Sequence, residues 1–197
     1  MSKQNAVKMI TPPAVGAYAW LAKPDEGQQF SDGKFKVTLK FDKKNKAHKK
    51  FIDEMTKRSD AIATDQQEND KAWKNLNLDD KKLPFRDGDA SGKEDFEGFW
   101  TLTAKTKFRP GMVDCSEPVV SLPEGEEPRS GDVIRIAVAL NPYCMGKTNF
   151  GISAQLRNVQ LIERNNTGQN DEFGAVEGGY KSNSTLPDNI ADDEDDF

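Results

Sequence analysis

From residue 34 to residue 41 every second position is apolar: Phe35, Val37, Leu39 and Phe41 alternate with Lys34, Lys36, Thr38 and Lys40. A period of two predicts a strand with one core face and an opposite face carrying three lysines. The same alternation predicts a strand over residues 99–108. Trp100, Leu102, Ala104 and Phe108 take one side of it, and Thr101, Thr103, Lys105, Lys107 and then Arg109 the other. Over residues 133–140, Ile134, Ile136, Val138 and Leu140 point inward and Arg135 outward. In residues 150–162 the apolar set moves from Ile152, Ala154 and Leu156 to Val159 and Leu161, a one-residue slip that predicts a β-bulge near Arg157-Asn158. Residues 14–22 read as a first strand ending at the turn-forming Lys23-Pro24-Asp25, and Val119-Val120 as a short extra strand.

One segment keeps a helical rhythm instead. Phe51, Ile52, Met55 and Ile62 recur with a period near 3.6, and Asn45 is placed to cap a helix over residues 46–63. The polar stretch 64–70 breaks that pattern before Trp73, and residues 83–89 and 91–93 read as exposed loops. From Asn165 onward Asn, Gly, Ser, Asp and Glu dominate without periodicity, which predicts disorder. Five or six short strands with one helix after the first hairpin predict a mainly β protein. The expected form is an OB-fold five-stranded barrel with one capping α-helix over residues 1–164 and a flexible acidic tail over 165–197.

Charge divides the chain at the same place. Residues 165–197 hold nine acids against Lys181 alone, a formal −8, while the remaining 27 basic residues face 24 acids, or +3. An acidic tail on a mildly basic body reads as an interaction tail. The last six residues, Asp192, Asp193, Glu194, Asp195, Asp196 and Phe197, place five acids before one aromatic ring. Such an anion can occupy a basic groove or offer its ring to a pocket on another protein. No apolar run near Met1 has the length of a signal peptide, and the longest apolar stretch, residues 136–140, is too short to span a bilayer. The expectation is a cytoplasmic protein with no membrane contact, and two cysteines, Cys115 and Cys144, give no disulfide framework.

Little in the chain points to catalysis. Gly146-Lys147-Thr148 follows an apolar strand, but a phosphate-binding loop needs a glycine where Asn141 stands and a helix where a strand is predicted. The triplet reads as a hairpin turn. The single histidine, His48, lies among Lys46, Lys49 and Lys50 and is expected on the surface. Two isolated cysteines do not make a zinc site, so no catalytic residue, metal or cofactor is assigned. A metal-dependent hydrolase built on Asp87 and Asp89 is the enzymatic rival.

The body supplies what the tail could compete for. Cations on outward strand faces track phosphates, and aromatic faces stack bases without reading sequence. The residues expected to meet a single-stranded nucleic acid are Lys34, Lys36, Lys105, Lys107, Arg109, Arg135 and Lys147, with Trp20, Phe99 and Tyr143 as aromatic candidates; Tyr143 is placed in a loop with Pro142.

The stretch Tyr18-Ala19-Trp20-Leu21-Ala22-Lys23-Pro24-Asp25, followed by Lys34-Phe35-Lys36-Val37, resembles the opening hairpin of the single-stranded DNA-binding proteins of short-tailed bacteriophages. Pro142-Tyr143, the strand through Leu156 and Val159, and the acidic tail ending in Phe197 are similar to the same family's C-terminal half. The resemblance implies an OB-fold with a capping helix and a role in phage DNA replication, recombination and repair. It also implies a tail that binds the replicative DNA polymerase and the helicase-primase, competes with DNA and supports a homodimer. By position it makes Tyr143 a base-stacking residue, Lys105 or Lys107 the basic strand contact, and Lys3 the N-terminal lysine of the family; Thr106 and Phe108 stand where the family's strand carries an aromatic. The expectation is a non-enzymatic, sequence-independent binder of single-stranded DNA. Its rival from another class is an acidic protein-interaction module or DNA mimic that never touches nucleic acid.

Overall fold

A computed structural model describes residues 7–26 and 31–165. Eight strands and one long helix follow one another as β1 (Val7–Ile10), β2 (Ala14–Trp20), β3 (Phe35–Asp42), α1 (Lys46–Asn69), β4 (Phe85–Asp87), β5 (Phe99–Thr106), β6 (Gly111–Val113), β7 (Val133–Cys144) and β8 (Phe150–Glu163). β2 pairs with β3, β3 with β5, β5 with β8, β8 with β7, and β7 returns to β2. That ring is the five-stranded OB barrel, closed so that its members leave few unpaired edges. All its contacts are antiparallel except β5 with β8, where Lys105 stands level with Gln155.

The alternation seen in sequence fills the ring. Val37, Leu39 and Phe41 from β3, Leu102 and Ala104 from β5, and Ile134, Ile136, Val138 and Leu140 from β7 are all buried. Truncating one of these large side chains to Ala costs about 2–5 kcal/mol, because the site collapses only partly around the gap. β8 slips where predicted: Val138 faces Leu156 while Ala137 faces Asn158, so Arg157 is the extra residue and Val159 regains the core.

The Asn45 side chain accepts from the backbone N–H groups of Ala47 and His48, and so caps α1 as expected. The helix runs on through the polar stretch to Asn69, although its last buried residue is Ala63. Trp73 lies beyond the helix end, fully buried and edge-on to Phe150 at 5.5 Å.

Four other expectations change. His48 is buried, not solvated: it sits one helical step from Phe51 and Ile52, edge-on to Phe41 at 5.3 Å, with Nε2 3.0 Å from the Pro13 carbonyl. Phe108 falls after β5 has ended and is exposed. The short extra strand is β6, at residues 111–113, with Val119 and Val120 exposed beside it. Tyr143 lies in β7, not in a loop, opposite Gly151. Pro142 is tolerated in that strand because, among the described residues, β7 pairs there with β8 alone. Opposite Tyr143, the segment around Lys82 crosses β8 so closely that a Cβ on Gly151 would lie 2.2 Å from the Lys82 carbonyl oxygen. Gly151 also has φ +154°, so glycine is required twice over. Among the described residues no helix is long and apolar enough to cross a membrane.

Candidate functional site

The outward face of β2, β3 and β5 gathers the residues that matter. Register places Trp20 opposite Lys36 and Lys36 opposite Lys105, with Gln155 of β8 next in line. Four residues along β3, about 13 Å away by strand rise, a second row runs Val15, Lys40, Thr101 and Arg86. Between the two rows lie only small side chains, Ala17, Thr38 and Thr103, the two threonine hydroxyls 2.8 Å apart. The surface is thus a trough between two cationic rims, with Thr38 on its floor and Thr101 in its second row both buried.

A backbone irregularity in β2 creates the aromatic part of that surface. With Ala14 and Gly16 buried, strict alternation would send Tyr18 and Trp20 into the core. Instead one extra residue is inserted between Ala17 and Trp20, and Tyr18 adopts φ +50°. The parity flips: Trp20 turns outward beside Lys36, Tyr18 is 48% exposed, and Leu21 takes the core position at 1%. The Ala19 N–H donates to Ser130 Oγ at 3.0 Å and pins the bulge. A left-handed conformation at a non-glycine residue costs on the order of 1–3 kcal/mol and persists only where its surroundings enforce it.

The rims differ in how their charge is held. Lys36 forms an ion pair with the buried Asp25, and Lys105 pairs with Asp32 at 2.8 Å, with Lys34 4.0 Å from the same carboxylate. The Lys105 hydrogen bond holds the Asp32 carboxyl below its ordinary value. Both acids sit in the β2–β3 connection, which Asp25 also closes through its backbone, donating to the Lys34 carbonyl and accepting from the Gly33 N–H. On the other rim Lys40 lies over the Phe99 ring at 5.1 Å and donates to the Asp95 carbonyl at 3.4 Å. Neither Lys40 nor Arg86 has a carboxylate partner among the described residues. The loop before β5 reaches across to β2, where Phe96 meets Tyr18 edge-on at 5.9 Å and the Lys93 ammonium stands 4.9 Å from the Tyr18 ring centre.

The remaining expected residues scatter. Lys107 is exposed just past β5, and Lys147 lies in the β7–β8 turn, where Met145 and Asn149 are joined across the hairpin. Tyr143 is half-buried on the outward side of β7, two residues from Asn141, which donates to Gln155 at 3.2 Å; the trough therefore leads round the barrel towards it. Arg135 sits eight residues away, roughly 27 Å along the same strand, and is bonded to Gln160. Arg109 pairs with the buried Glu127 at the end of the barrel where Arg164 pairs with the buried Asp132 at 3.1 Å. Arg109 and Arg164 hold the loop of residues 126–132 together. Lys3 and the tail from Asp192 to Phe197 lie outside the described residues.

Arg86, Lys40 and Lys93 are the functional candidates that sequence reasoning passed over. Lys40 was visible on the alternating face of β3. Arg86 was not, because a three-residue strand in a Pro-, Asp- and Gly-rich stretch has no period to read. Asp87 and Asp89, the carboxylates a hydrolase would need, both bind Lys43, at 2.5 and 2.6 Å, and its ammonium holds both below the ordinary carboxylate range. Among the described residues no group of three or more His, Cys, Asp or Glu side chains is placed to hold a metal ion.

Comparison with known proteins is consistent with this geometry. The family described as the ssDNA-binding protein of Enterobacter phage Enc34 matches residues 7–194. Among solved structures, the single-stranded DNA-binding protein of bacteriophage Enc34 in complex with ssDNA aligns with a TM-score of 0.61 and 21% identity over 80% of this chain and 87% of that one. Gp2.5, a single-stranded DNA-binding protein encoded by bacteriophage T7, aligns with a TM-score of 0.61 and 19% identity over 90% of this chain and 100% of that one. At such identities the structural likeness speaks for the fold. No curated protein sequence matches the chain.

Proposed function

The chain belongs to the Enc34 family of phage single-stranded DNA-binding proteins, and from that premise we propose that it binds single-stranded DNA, without sequence readout, along the trough of β2, β3 and β5. One observation carries the placement: the row Trp20, Lys36 and Lys105 faces the row Lys40, Thr101 and Arg86 across side chains too small to obstruct a strand. Cations on both rims meet phosphates, while Trp20 and Phe99 offer ring faces to bases. Each neutralised phosphate releases condensed counterions, so affinity falls with salt by about 0.7 log units per tenfold increase for every contact. Lys34 and Lys107 extend the basic rim, and Tyr143 and Lys147 receive the strand as it passes round the barrel.

In this reading residues 1–164 form the binding domain and residues 165–197 an acidic tail that competes with DNA for the trough. Once displaced, its terminal Phe197 engages replication proteins, the polymerase and the helicase-primase of a phage replisome, in the host cytoplasm. A homodimer joined through the tail fits the same scheme, as do roles in replication, recombination and repair. The protein acts by occupancy and not by catalysis. Titration of the full chain with single-stranded and duplex oligonucleotides at two salt concentrations tests the central point. Tight binding of the single strand that weakens steeply with salt is expected, and absence of binding at low salt refutes it. Deletion of residues 189–197 should tighten binding at low salt; unchanged or weaker binding removes the competing tail from the scheme.

A further inference from the structure

We propose that Tyr18 is a base-stacking residue of this surface and that Lys93 is its movable cover. The proposal rests on the single-stranded DNA-binding reading and deepens it. Three observations converge on the ring. Tyr18 is the only non-glycine residue with positive φ among the described residues. Its conformation and the adjoining bulge move it off the core face, where Ala14 and Gly16 are buried, and leave it 48% exposed beside the trough. A core-packing role would have needed neither the bulge nor the left-handed backbone. The Ser130 hydroxyl accepts from Ala19 and holds that geometry in place before any ligand arrives.

The third observation is the cation. The Lys93 ammonium stands 4.9 Å from the Tyr18 ring centre and 5.7 Å from that of Phe96, while Phe96 meets Tyr18 edge-on. An ammonium over an aromatic face marks the electron-rich side of the ring as open to a planar ligand. Lys93 is exposed, has no carboxylate partner among the described residues, and sits on a long stem in the loop before β5. A base sliding over Tyr18 displaces the ammonium, and the freed charge moves the short way to the phosphate of that nucleotide. Phe96, buried at the other edge, keeps the tyrosine ring upright throughout.

The test uses the full chain, a fluorescent oligodeoxythymidylate and a second oligonucleotide carrying 5-bromodeoxyuridine. Tyr18→Gly removes the ring and suits the positive φ, so the backbone is relieved and not strained by the change. Affinity for the single strand should fall roughly fivefold to a hundredfold, the usual worth of one stacked base. The salt dependence should be unaltered, because no charge is lost. Tyr18→Phe should bind within about twofold of the unaltered protein, since the ring face is kept. Lys93→Gln should instead make the salt dependence shallower by about 0.7. Irradiation of the bromouridine complex should join the oligonucleotide to the peptide containing Tyr18. Binding by Tyr18→Gly equal to that of the unaltered protein, or no adduct on that peptide, overturns the proposal. If the unaltered protein fails to bind the single strand at all, it is the functional reading that fails.

Discussion

The two rims of the trough carry the same kind of side chain and hold it differently. On one, Lys36 and Lys105 are already paired with Asp25 and Asp32 from the β2–β3 connection. On the other, Lys40 rests on Phe99 and Arg86 has no carboxylate partner among the described residues. Formal charge is therefore not the charge a polyanion meets. A phosphate arriving at Lys105 exchanges one anion for another and leaves Asp32 behind as a repelling neighbour. At Lys40 or Arg86 it meets a cation that no described carboxylate compensates. Two arginines extend the lesson: Arg109 and Arg164 are committed to Glu127 and Asp132, both buried, and their charge is structural.

The contrast can be broken most sharply at the free rim. Replacing Lys40 and Arg86 together by Gln should weaken single-strand binding about 25-fold at 0.1 M salt and make its salt dependence shallower by about 1.4, two lost phosphate contacts. A change within twofold, measured by anisotropy titration, places the strand elsewhere.

The paired rim should respond in the opposite direction. Asp32→Asn removes the carboxylate that holds Lys105 and Lys34, so binding should tighten by up to about fivefold and its salt dependence steepen by about 0.7. Weaker binding would show that Asp32 positions Lys105 for the strand and does not compete for it.

The smallest effect concerns pH. Lys105 holds the Asp32 carboxyl below its ordinary value of 3.8. The pair is therefore fully formed above that value and is lost only as pH falls through the still lower value of the folded protein. The ratio of affinities between Asp32→Asn and the unaltered protein should stay constant from pH 8 to pH 5. A ratio that drifts within that window, in oligonucleotide titrations across pH, would mean that Asp32 is already gaining a proton there and is not held by Lys105.

Much of this fold could be read locally. The inward sets of β3, β5 and β7 follow a period of two, the bulge at Arg157 announces itself by a slip in that period, and Asn45 caps its helix where expected. His48 was legible too: it stands three and four residues before Phe51 and Ile52 on the buried stripe, but the lysines around it pointed to solvent. Of the site, Trp20, Lys36 and Lys105 were named from the chain, yet their common row was not, because register between strands depends on turns and bulges that leave no local period.

The order of apolar and polar residues by itself determined β3, β5, β7 and β8, the start of the helix, most of the core and the acidic C-terminal composition, since burial of one face demands periodicity and charge can be counted. Which side Tyr18 and Trp20 face, which lysines pair with Asp25 and Asp32, and that Arg86 lies beside Thr101 were decided only when the ring closed. Those facts depend on contacts between residues far apart in the chain, and no spacing within one segment encodes them.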